Sequence, residues 1–215
     1  MAKLTKSSFP KGKQIRSIRS GLLTEGDLDL FSGVKSIEKK CRINTLPGKN
    51  TGRRGKESEY SEQKSAKQAL KRYYGLLDKP FKRVYAKASN MSGSTSDNIL
   101  TLLESRLDNV VYRAGLAVTR AEAKQLISHG HIELNGTRVK VPSIIVSKGD
   151  VVTIPERFSE HLRIKNALEV SAQRETTQWL SIDTDKLEVT IQQQPFIESL
   201  KTMFKVNLVV ELYSK

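Results

Sequence analysis

Four basic residues in the middle of the chain have the types and the spacing needed to bind phosphate groups. Arg106 and Arg113 lie seven residues apart, and Arg120 and Lys124 lie one helical turn apart. Guanidinium and ammonium groups neutralise phosphate charge and donate hydrogen bonds to phosphate oxygens. We expect the four side chains to point away from the core and form one phosphate-binding face. Arg120 is placed best, because the N-terminus of its helix also favours an anion.

Further basic residues are candidates for the same chemistry. Arg138 and Lys140 are expected to extend the face from a hairpin, and His129 to contact a phosphate or a base. A basic loop is expected to become ordered only on its partner, and its candidates are Lys49, Arg53, Arg54 and Lys56. A lysine stripe on a predicted helix is typical of a solvated surface, but the basic loop before it favours nucleic-acid binding. The lysine stripe consists of Lys64, Lys67, Lys71 and Arg72.

The distribution of charge favours a polyanionic partner. The 215 residues contain 37 Lys and Arg against 23 Asp and Glu, which gives a net charge of +14. Residues 1–90 hold 22 basic and 8 acidic residues, whereas residues 91–215 hold 15 of each. One end of the chain therefore carries the whole excess, a pattern typical of nucleic-acid binding. A soluble protein that is merely basic is the alternative.

Three features could indicate catalysis or metal binding, but each has a simpler interpretation. Arg106-Leu107-Asp108 is similar to the setting of the catalytic aspartate in pseudouridine synthases, yet the flanking residues do not fit that pattern. We expect Asp108 to orient Arg106 or a backbone group. His129 and His131 lack a nearby Cys or carboxylate cluster at the spacing of metal ligands.

The single cysteine, Cys41, stands between basic residues that could activate it as a nucleophile, but a plain, partly buried cysteine is commoner. We therefore expect no catalytic residue, no metal and no cofactor. One cysteine excludes a disulfide within the chain and fits a reducing compartment. No long apolar run or secretory signal is evident, so we expect neither a membrane partner nor a small-molecule substrate.

The patterns predict an α+β protein in three parts. Residues 1–97 form a basic domain, loop-rich over 1–57 and helical over 58–90. Residues 98–160 form a unit of two helices and a small sheet, and residues 161–215 supply a helix, loops and a tail that pack on the other domains. Predicted helices cover 58–77, a segment from Pro80, 99–114, 119–129 and 157–171. Predicted strands flank Asn135-Gly136 and cover 151–154, positions near 179–180 and 187–189, and 206–213.

Several of these segments resemble a known family. Residues 105–115 (SRLDNVVYRAG), 119–130 (TRAEAKQLISHG) and 132–136 (IELNG) closely resemble the RNA-binding module, the S-four domain, of bacterial small-subunit ribosomal protein S four. The resemblance covers roughly residues 30–215. Its other segments are 32–35 (SGVK), 40–43 (KCRI), 73–77 (YYGLL), 179–180 (WL) and 210–215 (VELYSK).

Some segments depart from the family. The first thirty residues differ from its usual opening, and the Cys-rich zinc-binding opening of some members is missing. The loop over residues 47–52 is one residue longer than the common form and lacks its histidine. These departures leave open a second, divergent copy of the family's protein.

The resemblance implies a fold, a place and a set of partners. It implies a helical N-terminal domain completed by the C-terminal tail, with the S-four domain inserted between them. It implies a structural, non-enzymatic role in the small ribosomal subunit of the bacterial cytoplasm rather than of an organelle. The implied partners are small-subunit rRNA, bound early in assembly, neighbouring ribosomal proteins, and mRNA near its entry channel. The alternatives are a free-standing stress or regulatory factor with an S-four domain, and an RNA-modification enzyme.

Overall fold

The computed structural model describes residues 58–159, 161–171, 177–184 and 186–214. These residues divide into two units, one made of residues 58–96 with 198–214 and the other of residues 97–197. The predicted loop over residues 1–57, with Cys41 and four of the basic candidates, lies outside the described residues. Within the described ranges, no helix is both long enough and apolar enough to cross a membrane.

The first unit is helical and is built from two distant parts of the sequence. Its helices are α1 (Glu59–Tyr73), α2 (Asp78–Ser89), α8 (Glu198–Met203) and α9 (Val206–Ser214), and α3 (Thr95–Glu104) begins at its border. Helix α9 packs on α1. The Tyr213 ring stacks on Tyr85 with the ring centroids 4.5 Å apart, and the Gln63 amide donates to the Glu211 carboxylate over 3.2 Å. The prediction of a helical domain completed by the tail is therefore confirmed.

Two details of this unit differ from the prediction. Residues 206–213 were predicted as a strand but form helix α9, because Val206 and Val209 fall on one helical face and are buried. The first helix was predicted to extend to residue 77, but α1 ends at Tyr73, and Leu77 is exposed and precedes α2.

The second unit combines helices with one antiparallel sheet. Its remaining helices are α4 (Leu107–Arg113), α5 (Arg120–His129), α6 (Glu156–Ser159) and α7 (Leu162–Ser171). Its strands are β1 (Ile132–Leu134), β2 (Thr137–Val139), β3 (Val151–Thr153), β4 (Leu180–Asp183) and β5 (Glu188–Ile191), in the order β2-β1-β3-β5-β4. The predicted Asn135-Gly136 hairpin is confirmed, since both residues adopt the positive φ values that a two-residue turn needs.

The domain predicted over residues 98–160 is shorter than this unit, which extends to residue 197, and the sheet explains the difference. Strand β5 pairs with β3, and Val152 faces Val189 in the register. Trp179, Leu187 and Val189 lie in the same core as Val110 and Ile127. Residues 161–197 therefore belong to this unit because they cover the open edge of β3 and fill its core.

The helix predicted over residues 99–114 is interrupted. Arg106 adopts an extended conformation with φ −69° and ψ 137°, which separates α3 from α4. The freed backbone groups bond to a distant segment: the Leu107 amide donates to the Ile144 carbonyl and the Val146 amide donates to the Ser105 carbonyl, each over 2.8 Å. These long-range bonds replace the helical ones and fix the direction of the Arg106 side chain.

Candidate nucleic-acid interface

Asp108 holds two of the predicted basic residues. The Arg106 guanidinium donates from Nε and one terminal nitrogen to both carboxylate oxygens of Asp108, over 3.0 and 2.8 Å. The Lys124 Nζ lies 3.6 Å from the same carboxylate. The bidentate pair is buried, so its geometry is fixed. The prediction that Asp108 orients Arg106 is confirmed.

Glu104 and Asn109 hold the other two basic residues. The Glu104 carboxylate accepts two hydrogen bonds of 3.1 Å from Arg113 and one of 2.8 Å from the Asn109 amide nitrogen. The Asn109 amide oxygen accepts a 2.9 Å hydrogen bond from Arg120 Nε. The Arg120 guanidinium also lies 4.3 Å from the centre of the Tyr112 ring, within cation–π range.

These side chains form what we call the charge network. It brings the four predicted cations together around two buried carboxylates, but it does not expose them equally. Arg120, which was predicted to point outwards, is buried at 6% exposure. The side chains of Arg113 and Lys124 remain 24% and 27% exposed and can reach a ligand. The network consists of Glu104, Arg106, Asp108, Asn109, Arg113, Arg120 and Lys124.

Burial changes the pKa of Lys124. Desolvation lowers the pKa of Lys124, and the cations of Arg106 and Arg120 lower it further, while Asp108 opposes them. No pattern in the sequence indicates the role of Glu104, because it lies nine residues from Arg113 and on the other side of the helix break. Only the tertiary structure brings the two side chains together.

Side chains of Thr119 and Glu122 cap the N-terminus of α5. The Thr119 hydroxyl accepts a 3.2 Å hydrogen bond from the Glu122 amide. The Glu122 carboxylate turns back but accepts from the Val118 amide over 2.9 Å, rather than from Thr119 itself. A carboxylate therefore already stands at the helix end where an anion was expected to bind beside Arg120.

Two of the remaining candidates of this unit, Arg138 and His129, lie at the other end of α5, and Lys140 follows β2. Arg138 donates to the backbone oxygens of Gly130 and His129 over 2.7 and 3.0 Å, and so caps the helix C-terminus. Lys140 and His129 are exposed. The structure therefore does not bring these three residues into the charge network.

The lysine stripe lies on α1, in the first unit. Lys71 forms a 2.7 Å ion pair with Asp78, and Lys67 lies 3.9 Å from the same carboxylate and 5.6 Å from the centre of the Tyr213 ring. Lys64 is exposed, with its Nζ 6.0 Å from the Tyr60 ring centre, and Arg72 is half-buried. The loop candidates Lys49, Arg53, Arg54 and Lys56 lie outside the described residues.

The histidines do not form a metal site in the part of the chain that the structure describes. No group of three His, Cys, Asp or Glu side chains there could hold a metal ion. The rings of His129 and His131 are tilted with centroids 5.8 Å apart. Burial lowers the pKa of His131, and the neighbouring basic residues His129, His161, Arg138 and Arg157 lower it further.

Comparison with known proteins matches this architecture. A family model described as "S4 domain" matches residues 105–152, and one described as "Ribosomal protein S4/S9 N-terminal domain" matches residues 6–104. Small ribosomal subunit protein uS4 of Coxiella burnetii is 51% identical over 189 residues, which cover 88% of this chain and 92% of the relative. The uS4 protein of Teredinibacter turnerae is 47% identical over the same shares. The chain belongs to the uS4 family of small ribosomal subunit proteins.

Proposed function

We propose that the chain is a structural constituent of the small ribosomal subunit and binds the subunit's rRNA directly. The observation that carries this proposal is the charge network, together with membership of the uS4 family. The network sets four cations against two carboxylates, so it has a surplus of positive charge for phosphates. The proposed role is structural rather than catalytic, and its place is the bacterial cytoplasm.

Within the charge network, we assign different tasks to the four cations. Arg113 and Lys124 contact phosphates, because their side chains are partly exposed. Arg106 and Arg120 set the position of the surface from within, since both are buried and hydrogen-bonded. Folded RNA is recognised largely by shape and by backbone contacts, so a fixed arrangement of cations suits it.

The other basic candidates belong to the same proposal with smaller roles. Lys64 and Lys140 are exposed and suit phosphate contacts. Arg138 instead donates hydrogen bonds to the backbone oxygens at the C-terminus of α5. The lysine stripe and the loop candidates would supply most of the charge attraction, because the excess lies in residues 1–90. Early binding in subunit assembly, contacts with neighbouring ribosomal proteins and a position near the mRNA entry channel are proposed from the family resemblance alone.

Filter binding to small-subunit rRNA across a salt series tests this function. We expect saturation at one chain per rRNA and an affinity that falls steeply as salt rises. Arg113→Ala and Lys124→Ala should each weaken binding and reduce the log–log salt slope by about 0.7–0.9, the value for one phosphate contact.

Lys148→Ala is the matched control, because it also removes one exposed positive charge but from a turn outside the charge network. Circular dichroism should confirm that all three variants are folded. Equal losses in the three variants, or equal affinity for an unrelated RNA of the same length, would show only general attraction between opposite charges and contradict the proposed function.

A further inference from the structure

A cavity of about 260 Å³ opens along one face of α5, from Glu122 in its first turn to His129 at its end. It is enclosed by α5, by His131 at the start of β1, and by residues of α6 and α7. None of the basic residues of the charge network lines it, so it is a separate feature of the second unit. Its volume is just below the range typical of pockets for drug-sized ligands, so it suits a smaller ring system.

The floor of the cavity is apolar and aromatic. Leu126 and Ile164 are buried there. The His131 ring meets the Phe158 ring edge-on with the centroids 4.1 Å apart, and both residues line the cavity. Aromatic rings and guanidinium planes are the groups on which unpaired RNA bases stack.

The rim of the cavity is polar and its charges are mixed. Gln125, His129, His161 and Arg163 line it and are exposed. Glu122 also lines the cavity. Its carboxylate disfavours a phosphate inside the cavity but can accept hydrogen bonds from an amino group. Gln125 can donate and accept at the same time, as recognition of a base edge requires. The neutral form favoured for His131 suits an uncharged ligand.

We propose that this cavity binds one unstacked nucleobase that carries an exocyclic amino group, such as cytosine or adenine, from single-stranded RNA. Glu122 and Gln125 recognise the amino-bearing edge, the Phe158 side of the cavity provides the stacking surface, and Arg163 at the rim attracts the adjoining phosphate. The inference rests on the proposed function, because RNA must be the partner that delivers the base.

Binding of the full chain to cytidylate and uridylate hexamers tests the proposal. The two oligonucleotides carry the same phosphate charge and differ in the base edge, so the electrostatic attraction is matched. By fluorescence anisotropy, we expect the cytidylate hexamer to bind about fivefold more tightly or better. In NMR spectra, the ring protons of His129 and His131 should shift with cytidylate and much less with uridylate.

Gln125→Ala should abolish the preference for cytidylate, and Ser128→Ala, an exposed position on the same helix outside the cavity, should retain it. Alanine favours helices, so both variants should fold. Equal binding of the two hexamers by wild type, or a preference that survives Gln125→Ala, would overturn the proposal. If wild type did not bind rRNA, the proposed function would be overturned. If wild type bound rRNA but had no preference for cytidylate, only the base site would be overturned.

Discussion

The charge network and the lysine stripe use basic residues in opposite ways. In the charge network, Arg106 and Arg120 are buried, and Asp108, which holds Arg106, is only 4% exposed. In the lysine stripe, Lys67 and Lys71 share Asp78, whose side chain is 67% exposed. The spacing of basic residues in the sequence looks similar in both regions, but the surroundings of their partner carboxylates differ.

The difference lies in how much each carboxylate contributes to stability. A buried ion pair costs desolvation energy, and removal of one partner leaves an uncompensated charge inside the protein. An exposed pair is screened by water and contributes little. The charge network is therefore expected to bind RNA with its shape already set by buried ion pairs, whereas the lysine stripe is expected to supply charge without depending on its exposed ion pair.

Asp108→Ala should give the largest effect. It leaves the buried Arg106 guanidinium without its bidentate partner, so we expect a loss of about 3–5 kcal/mol in the free energy of unfolding. Urea unfolding followed by circular dichroism measures this loss. Glu169→Ala removes an exposed carboxylate from α7 and should change stability by no more than about 0.5 kcal/mol. If the two variants were equally stable, the charge network would not be a stabilising structure.

Gly130→Ala extends the comparison to Arg138, which lies outside both regions and donates hydrogen bonds to backbone oxygens at the end of α5. Gly130 has φ +71°, and a methyl group there would collide with the Arg138 guanidinium that caps α5. We expect a loss of about 2 kcal/mol, measured by thermal unfolding. Gly136→Ala has the same backbone strain at φ +75° but open space around it, so it should cost about 1 kcal/mol. Equal losses would show that the cap contributes nothing.

Lower pH should destabilise the second unit through His131. Burial lowers the pKa of His131 below its ordinary value of 6.5, so the unfolded chain takes up a proton before the folded chain does. The contribution of His131 to the free energy of unfolding should therefore be constant above pH 6.5 and should fall as the pH decreases below 6.5. His131→Gln should have a shallower decline than wild type between pH 7 and 5 in urea unfolding. Parallel declines would contradict this assignment.

Asp78→Ala should have the smallest effect on stability. Its carboxylate is largely exposed, so water screens the ion pair and we expect a loss of less than about 1 kcal/mol. The same urea titration as for Asp108→Ala gives the direct comparison between the two surfaces. A loss as large as that of Asp108→Ala would remove the distinction between a basic surface held by buried carboxylates and one that pairs with an exposed carboxylate.

Local signals in the sequence predicted the local structure well. Asn135-Gly136 predicted the hairpin, and the helix predicted over residues 119–129 matches α5 closely, because turn and capping geometry depends on neighbouring residues. The break at Arg106 and the helical form of residues 206–214 were not predicted. Both depend on partners that are distant in the sequence, namely the Ile144 carbonyl for the break and α1 for the last helix.

The same distinction between local signals and distant partners applies to the candidate site. The sequence identified the four cations of the charge network, and it indicated that Asp108 orients Arg106. It did not predict the burial of Arg120, because helical periodicity places that residue on an outer face while Asn109 and Tyr112 cover it in the folded chain. Glu104 was missed because no short-range pattern links it to Arg113.

The packing of α9 on α1 also sets an order of events during synthesis. Helix α1 leaves the ribosome long before its partner, because residues 97–197 intervene. At about 5–20 residues per second, the roughly 130 residues between the end of α1 at Tyr73 and the start of α9 at Val206 take roughly 7–27 s. Residue 197, the last of the second unit, is made before α9 begins at Val206, so the second unit has its whole sequence while α1 still exposes the side that Tyr213 and Glu211 will cover. We therefore expect the unit that begins first in the sequence to finish folding last.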